Sequence, residues 1–152
     1  MGVDDFRRRL TGLRLVALDT MVFAYHLADH PRYSPLTTVV LEAVESGRVA
    51  GITTTVTLAE ILTAPAKTGD QRALQDYELY LTRFPNLLIV PLDVALAREA
   101  AFVRGETGLR TPDAIQVAAA RLAGADAIVT NDRRWVGRVV APSVVVLDEY
   151  VG

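Results

Sequence analysis

The chain of 152 residues contains no cysteine. Disulfides, thiolate metal sites and a cysteine nucleophile are therefore excluded. Histidine is scarce as well: His26 and His30 are the only two. They read as packing or surface residues and form no cluster of imidazole ligands. Lys67 is the single lysine against fifteen arginines. No apolar run approaches the roughly 18 residues of a membrane-spanning helix. The start, "MGVDDFRRRLTGLR", has early acids and no apolar h-region, so it does not read as a signal peptide. The expectation is a cytoplasmic protein. No Gly-rich dinucleotide fingerprint or P-loop occurs, and Ser34, Ser46 and Ser143 lie in no G-x-S-x-G elbow. Net charge is −2, so there is no global basic field for nucleic acid. A polyanion would have to be gripped by local arginines, which suit bidentate phosphate contacts, or by a metal ion.

What is present is ordinary globular composition, 51% apolar and 22% charged. The length fits one domain, 1–152, with a single sizeable core. Short β-rich apolar runs (14–19, 49–53, 86–92, 125–130, 143–147) alternate with helical patterns (35–46, 55–66, 70–84, 93–108, 111–124). Residues 1–13 predict an additional N-terminal helix, with Val3, Phe6, Leu10 and Leu13 on one face. Asp70 and Asp93 read as helix N-caps. So does Thr111, with Pro112 at the first helical position and Gly124 closing the end. Continuous apolar strands alternating with helices predict an α/β fold: a parallel sheet covered on both faces.

In such sheets ligands sit beyond the carboxyl ends of the strands. Asp19 ends the first strand, Asn131 and Asp132 follow "AIVT", Glu60 lies on the helix after the 49–53 strand, and Asp113 opens the helix at 111. Each has a bland reading alone: a turn former, a dipole partner, a solvated helix residue. Together they pose an electrostatic problem. Two carboxylates about 4 Å apart repel by roughly 4 kcal/mol at an effective dielectric of about 20. Either some are protonated or a divalent cation sits among them, and an all-oxygen donor set favours Mg²⁺ or Mn²⁺ over zinc.

Four pieces, "VALDTMVFAY", "TTTVTLAEIL", "RTPDAIQVAAA" and "AIVTNDRRW", resemble in order and spacing the PIN-domain family, especially its VapC-type toxin ribonucleases. The resemblance spans about residues 14–148. It implies an α/β/α sandwich with a sheet of about five strands in the order 3-2-1-4-5. It implies metal-dependent hydrolysis of RNA, with Asp19, Glu60, Asp113 and Asp132 as the catalytic acids. Asp19, Asp113 and Asp132 would hold Mg²⁺ (or Mn²⁺), and Thr130 and Asn131 would support them. Arg110, Arg133 and Arg134 would contact RNA. It further implies a homodimer and, for the toxin subgroup of type II toxin–antitoxin pairs, a cognate antitoxin. The chain departs from the family pattern at Met21, where a small polar residue is usual, and after Asp132, where Arg133 and Arg134 stand instead of an outer acid. These departures motivate the rival reading, a PIN-like module that binds RNA or protein without cutting.

Overall fold

The computed structural model covers residues 1–152. Its strands are β1 (Leu15–Leu18), β2 (Ala50–Thr54), β3 (Leu87–Val90), β4 (Ala127–Thr130) and β5 (Ser143–Val146). All pair in parallel, in the order β3-β2-β1-β4-β5. The helices are α1 (Val3–Leu10), α2 (Thr20–Leu27), α3 (Ser34–Glu45), α4 (Thr55–Thr68), α5 (Gln71–Thr82), α6 (Val94–Thr107) and α7 (Thr111–Ala123). Two short 3-10 turns, Arg133–Trp135 and Leu147–Tyr150, complete the chain.

The period-2 geometry of a strand explains how two cores arise. Val16 and Leu18 of β1, with Ala127 and Val129 of β4, face a core built with Phe6, Phe23, Val40 and Val44. Ala17 and Ile128, one residue out of phase, face a second core with Leu96, Val103, Val117 and Trp135. Helices α1 to α3 therefore cover one face and α6 and α7 the other. Trp135 is fully buried in that second core, and its indole Nε1 finds no hydrogen-bond partner. An orphaned donor of this kind costs about 1–3 kcal/mol, which the burial of a large ring offsets.

Coverage is not complete. The strand β3 lies at the sheet edge, and Leu88 on it is 60% exposed. The continuous apolar run 86–92 predicts burial on both faces; the edge position leaves one face open here. On the other side of β2, α3 packs so closely that only glycine fits at position 51. A Cβ there would stand 2.9 Å from Val44 Cγ1 and 3.2 Å from Leu87 Cδ1. Asn86 secures the same corner. It adopts a left-handed backbone and donates from Nδ2 to the carbonyls of Val44 and Glu45 in the last turn of α3.

Asp70 and Asp93 cap α5 and α6 through Ala73 N–H and Leu96 N–H. Thr111 does not cap α7, in contrast to the sequence expectation. The helix begins at Thr111 itself, Arg110 occupies the capping position without a side-chain bond, and Pro112 comes second. The Thr111 hydroxyl is taken instead by Arg104 Nη1 at 3.2 Å. Gly124 closes α7 in the left-handed conformation, as expected. The histidines are packing residues. His26 Nδ1 meets Thr37 Oγ1 at 3.2 Å, and the His30 ring packs on Tyr25 and Tyr33. No helix is long and apolar enough to cross a membrane.

Candidate active site

The parallel topology delivers the tips of β1, β2 and β4 and the start of α7 to one end of the sheet. A cleft of about 540 Å³ opens there. Asp19, Glu60, Asp113, Asp132 and Asn131 all line it, as do Arg110, Arg133 and Arg134. Thr130 is fully buried just beneath. The four sequence-nominated acids thus share one cavity. A smaller hollow of about 210 Å³ near Leu10 and Val39 has no carboxylate in its lining.

Asp19 is the deepest acid, 8% exposed. It leaves β1 extended and caps α2, where the positive end of the helix dipole favours a negative charge. Its Oδ1 accepts from Thr20 N–H at 2.9 Å and its Oδ2 from the Thr130 hydroxyl at 2.8 Å. These bonds favour the ionised form, but burial outweighs them, and the charges of Asp113 and Glu60 add to it. The carboxyl is pushed up to about 6. Asp113, half-buried in the first turn of α7, is also raised, by burial and then by Asp132, with Arg110 and Arg134 opposing.

Asp132 behaves in the opposite way. Its Oδ1 accepts from the backbone N–H and Nε of Arg134, both at 2.9 Å, and its Oδ2 from Nη2 at 2.6 Å and Nε at 3.2 Å. The Arg134 guanidinium holds the Asp132 carboxyl below the usual range. Arg133 points elsewhere and pairs with Asp148 at 2.9 Å. Asn131 bridges outward. It donates from Nδ2 to Tyr25 Oη at 3.0 Å and accepts Asp148 N–H at 2.8 Å.

Glu60, the exposed acid on α4, is steered by a network that the sequence reading did not find. The Thr20 hydroxyl donates to Glu60 Oε1 at 2.6 Å. Beneath it lie Thr57 and Gln116, both buried. Gln116 Nε2 donates to Thr57 Oγ1 at 2.7 Å and lies 3.4 Å from Thr20 Oγ1, while its Oε1 accepts from Thr54 Oγ1 at 3.0 Å. Thr53 anchors the other side by donating to the Leu18 carbonyl at 2.8 Å. One signal was visible in the sequence: Gln116 interrupts an otherwise apolar run, "AIQVAAA", and a polar side chain at a core position demands partners.

The donor set is chemically suited to a hard divalent cation. It is all oxygen, and its innermost member is a carboxylate whose ionised form burial disfavours and a neighbouring cation would stabilise. No three acids converge into a closed cage as they stand. An ion would be held from Asp19 and Asp113 with waters completing the shell, a mode common for Mg²⁺, which dehydrates reluctantly.

Among solved structures, this fold is similar to a toxin–antitoxin complex from Klebsiella pneumoniae (TM-score 0.65, 21% identity, covering 87% of this chain and 97% of that one). It is also similar to VapBC2 from Rickettsia felis bound to a DNA fragment from its promoter (TM-score 0.66, 18% identity, covering 86% and 97%). A third is VapC20 from Mycobacterium tuberculosis, described as a sarcin–ricin loop cleaving toxin (TM-score 0.62, 16% identity, covering 82% and 96%). At these identities the likeness establishes the fold. No curated protein sequence matches. The PIN domain family model, however, matches residues 16–139, most of the chain and the whole of the cleft. By that match, the chain belongs to the PIN domain family.

Proposed function

We propose that the protein is a metal-dependent endoribonuclease, using Mg²⁺ or Mn²⁺, and the toxin of a type II toxin–antitoxin pair. The observation that carries this reading is the buried Asp19, destabilised in its ionised form and sharing one cleft with Glu60, Asp113 and Asp132. A structural carboxylate would be expected to have a paired cation; this one has only two hydrogen-bond donors. Membership of the PIN family and the likeness to structures described as toxin–antitoxin complexes support the same reading.

In this scheme Asp19 and Asp113 would hold the ion, and Asp132 lines the same cleft beside Arg134. When bound, the ion supplies Lewis acidity, activating water and neutralising charge on the phosphodiester. Glu60, fixed by Thr20, orients the attacking water. Thr130 keeps the Asp19 carboxylate aimed into the cleft. Arg110 and the exposed faces of Arg133 and Arg134 meet backbone phosphates, contacts that position RNA without reading its sequence. A homodimer and a covering antitoxin belong to the same proposal.

The test is cleavage of single-stranded RNA by purified protein with Mn²⁺, with EDTA, and by Asp19→Asn with Mn²⁺. Cleavage in the first case only is expected. RNA binding without cleavage would replace the enzyme by a binding module. Cleavage that persists in EDTA would remove the metal. Light scattering would report the oligomeric state.

A further inference from the structure

We infer that Arg134 is a resident cation of the cleft. It occupies Asp132 in place of a second metal ion and limits the site to one divalent cation. The inference rests on the metal-dependent reading above and adds a role for a residue that a search for acids passes over.

Arg134 engages both oxygens of Asp132. Three N–H groups make the four contacts: the backbone N–H meets Oδ1, Nη2 meets Oδ2, and the single Nε–H is shared between the two oxygens. A metal ion at either Asp132 oxygen would therefore compete with the guanidinium. Asp19 accepts only two bonds, and Asp113 accepts none from a side chain or a cap. Open coordination capacity therefore lies on the Asp19 and Asp113 side.

Charge points the same way. The cleft is lined by four carboxylates, Asp19, Glu60, Asp113 and Asp132, and by three arginines, Arg110, Arg133 and Arg134. Arg133 pairs with Asp148, which Arg32 also reaches, so that carboxylate does not cancel its charge. Four negative charges against three positive leave one, which a single divalent ion already more than balances. A second such ion would leave the cleft strongly positive before any phosphate arrives.

The backbone builds the contact. Arg134 sits two residues after Asp132 in a 3-10 turn that Asp132 itself caps, and Trp135 buries the end of that turn in the core. The guanidinium is thus delivered to Asp132 by a short, anchored piece of backbone. The charge of Arg134 also acts on Asp113, so it stands between the two acids electrostatically. Arginine suits the position because its planar fork can engage both carboxylate oxygens.

The experiment is calorimetric titration of Mn²⁺ into metal-free wild type, Arg134→Gln and Arg133→Gln. Circular dichroism checks the fold of each. Wild type and Arg133→Gln are expected to bind one Mn²⁺ per chain up to millimolar concentration. Arg134→Gln is expected to bind two. Two ions on the wild type, or one ion on Arg134→Gln, overturns the inference while leaving a metal site in place. No heat and no binding for wild type overturns the metal-dependent reading itself, and this inference with it.

Discussion

Replacing Asp19 by asparagine should invert in its effect on stability as pH changes. The native carboxyl lies at about 6 against 3.8 in its unperturbed state, and burial is the main cause. Below about pH 4 both folded and unfolded chains are protonated at this position, and no penalty exists. Between pH 4 and 6 the unfolded chain releases the proton first, so stability falls. Above pH 6 the full penalty applies, about 3 kcal/mol at roughly 1.36 kcal/mol per pH unit. Asparagine removes it. The mutant keeps an acceptor for Thr20 N–H but presents N–H to Thr130 Oγ1, which now donates to Asp19, and loses about 1 kcal/mol there. The net expectation in EDTA is a mutant about 0.5 kcal/mol less stable at pH 4, where the unfolded carboxyl is already partly ionised, and about 2 kcal/mol more stable at pH 8. Urea unfolding followed by circular dichroism, on both proteins at both pH values, measures it. The comparison cancels other titrating groups, including Asp132 and Asp148, which shift the opposite way. A mutant destabilised equally at pH 4 and pH 8 would show that the buried carboxylate is not strained, and the argument for a cation beside it would fail.

Mn²⁺ at about a hundred times its dissociation constant should stabilise wild type by about 2.7 kcal/mol and leave Asp19→Asn unmoved; thermal melting with and without the ion tests this. Gln116→Leu strips donors from Thr57 and Thr20 and an acceptor from Thr54. It should cost about 1–3 kcal/mol and, by loosening Thr20 and hence Glu60, lower kcat of RNA cleavage with KM little changed. An unchanged kcat would confine Gln116 to a structural role. Gly51→Ala forces a Cβ against Val44 and should destabilise by about 1–3 kcal/mol, read from the urea midpoint, without altering Mn²⁺ affinity.

The alternation of apolar strands with capped helices was legible in the residues, and so was the collection of acids beyond the strand ends. The strand order came from the family resemblance and matches the structure. The network around Gln116 was not legible, because its bonds join residues 62, 59 and 96 positions apart. No local pattern encodes such partners; only the sheet brings Thr54, Thr57 and Thr20 to the same helix. Arg134 was nominated for RNA contact because it flanks Asp132 in sequence. Its closed turn onto Asp132 depends on the backbone adopting a 3-10 conformation, which a charge pattern does not specify. Thr111 failed as a cap for a similar reason, since Arg104 from the neighbouring helix claimed its hydroxyl.

Trp135 is the only tryptophan in the chain, fully buried, with an indole N–H that meets no acceptor. It is also the residue after Arg134 and the third after Asp132. The protein therefore carries an intrinsic fluorophore in the core, next in sequence to a residue that lines the cleft, and excitable apart from its five tyrosines. Its emission reports an apolar, unpartnered indole. Any event that turns the Asp132–Arg134 segment is coupled to that ring through one short stretch of backbone. An optical signal that moves on adding Mn²⁺ or RNA would locate the response in this turn without a label and without a mutation.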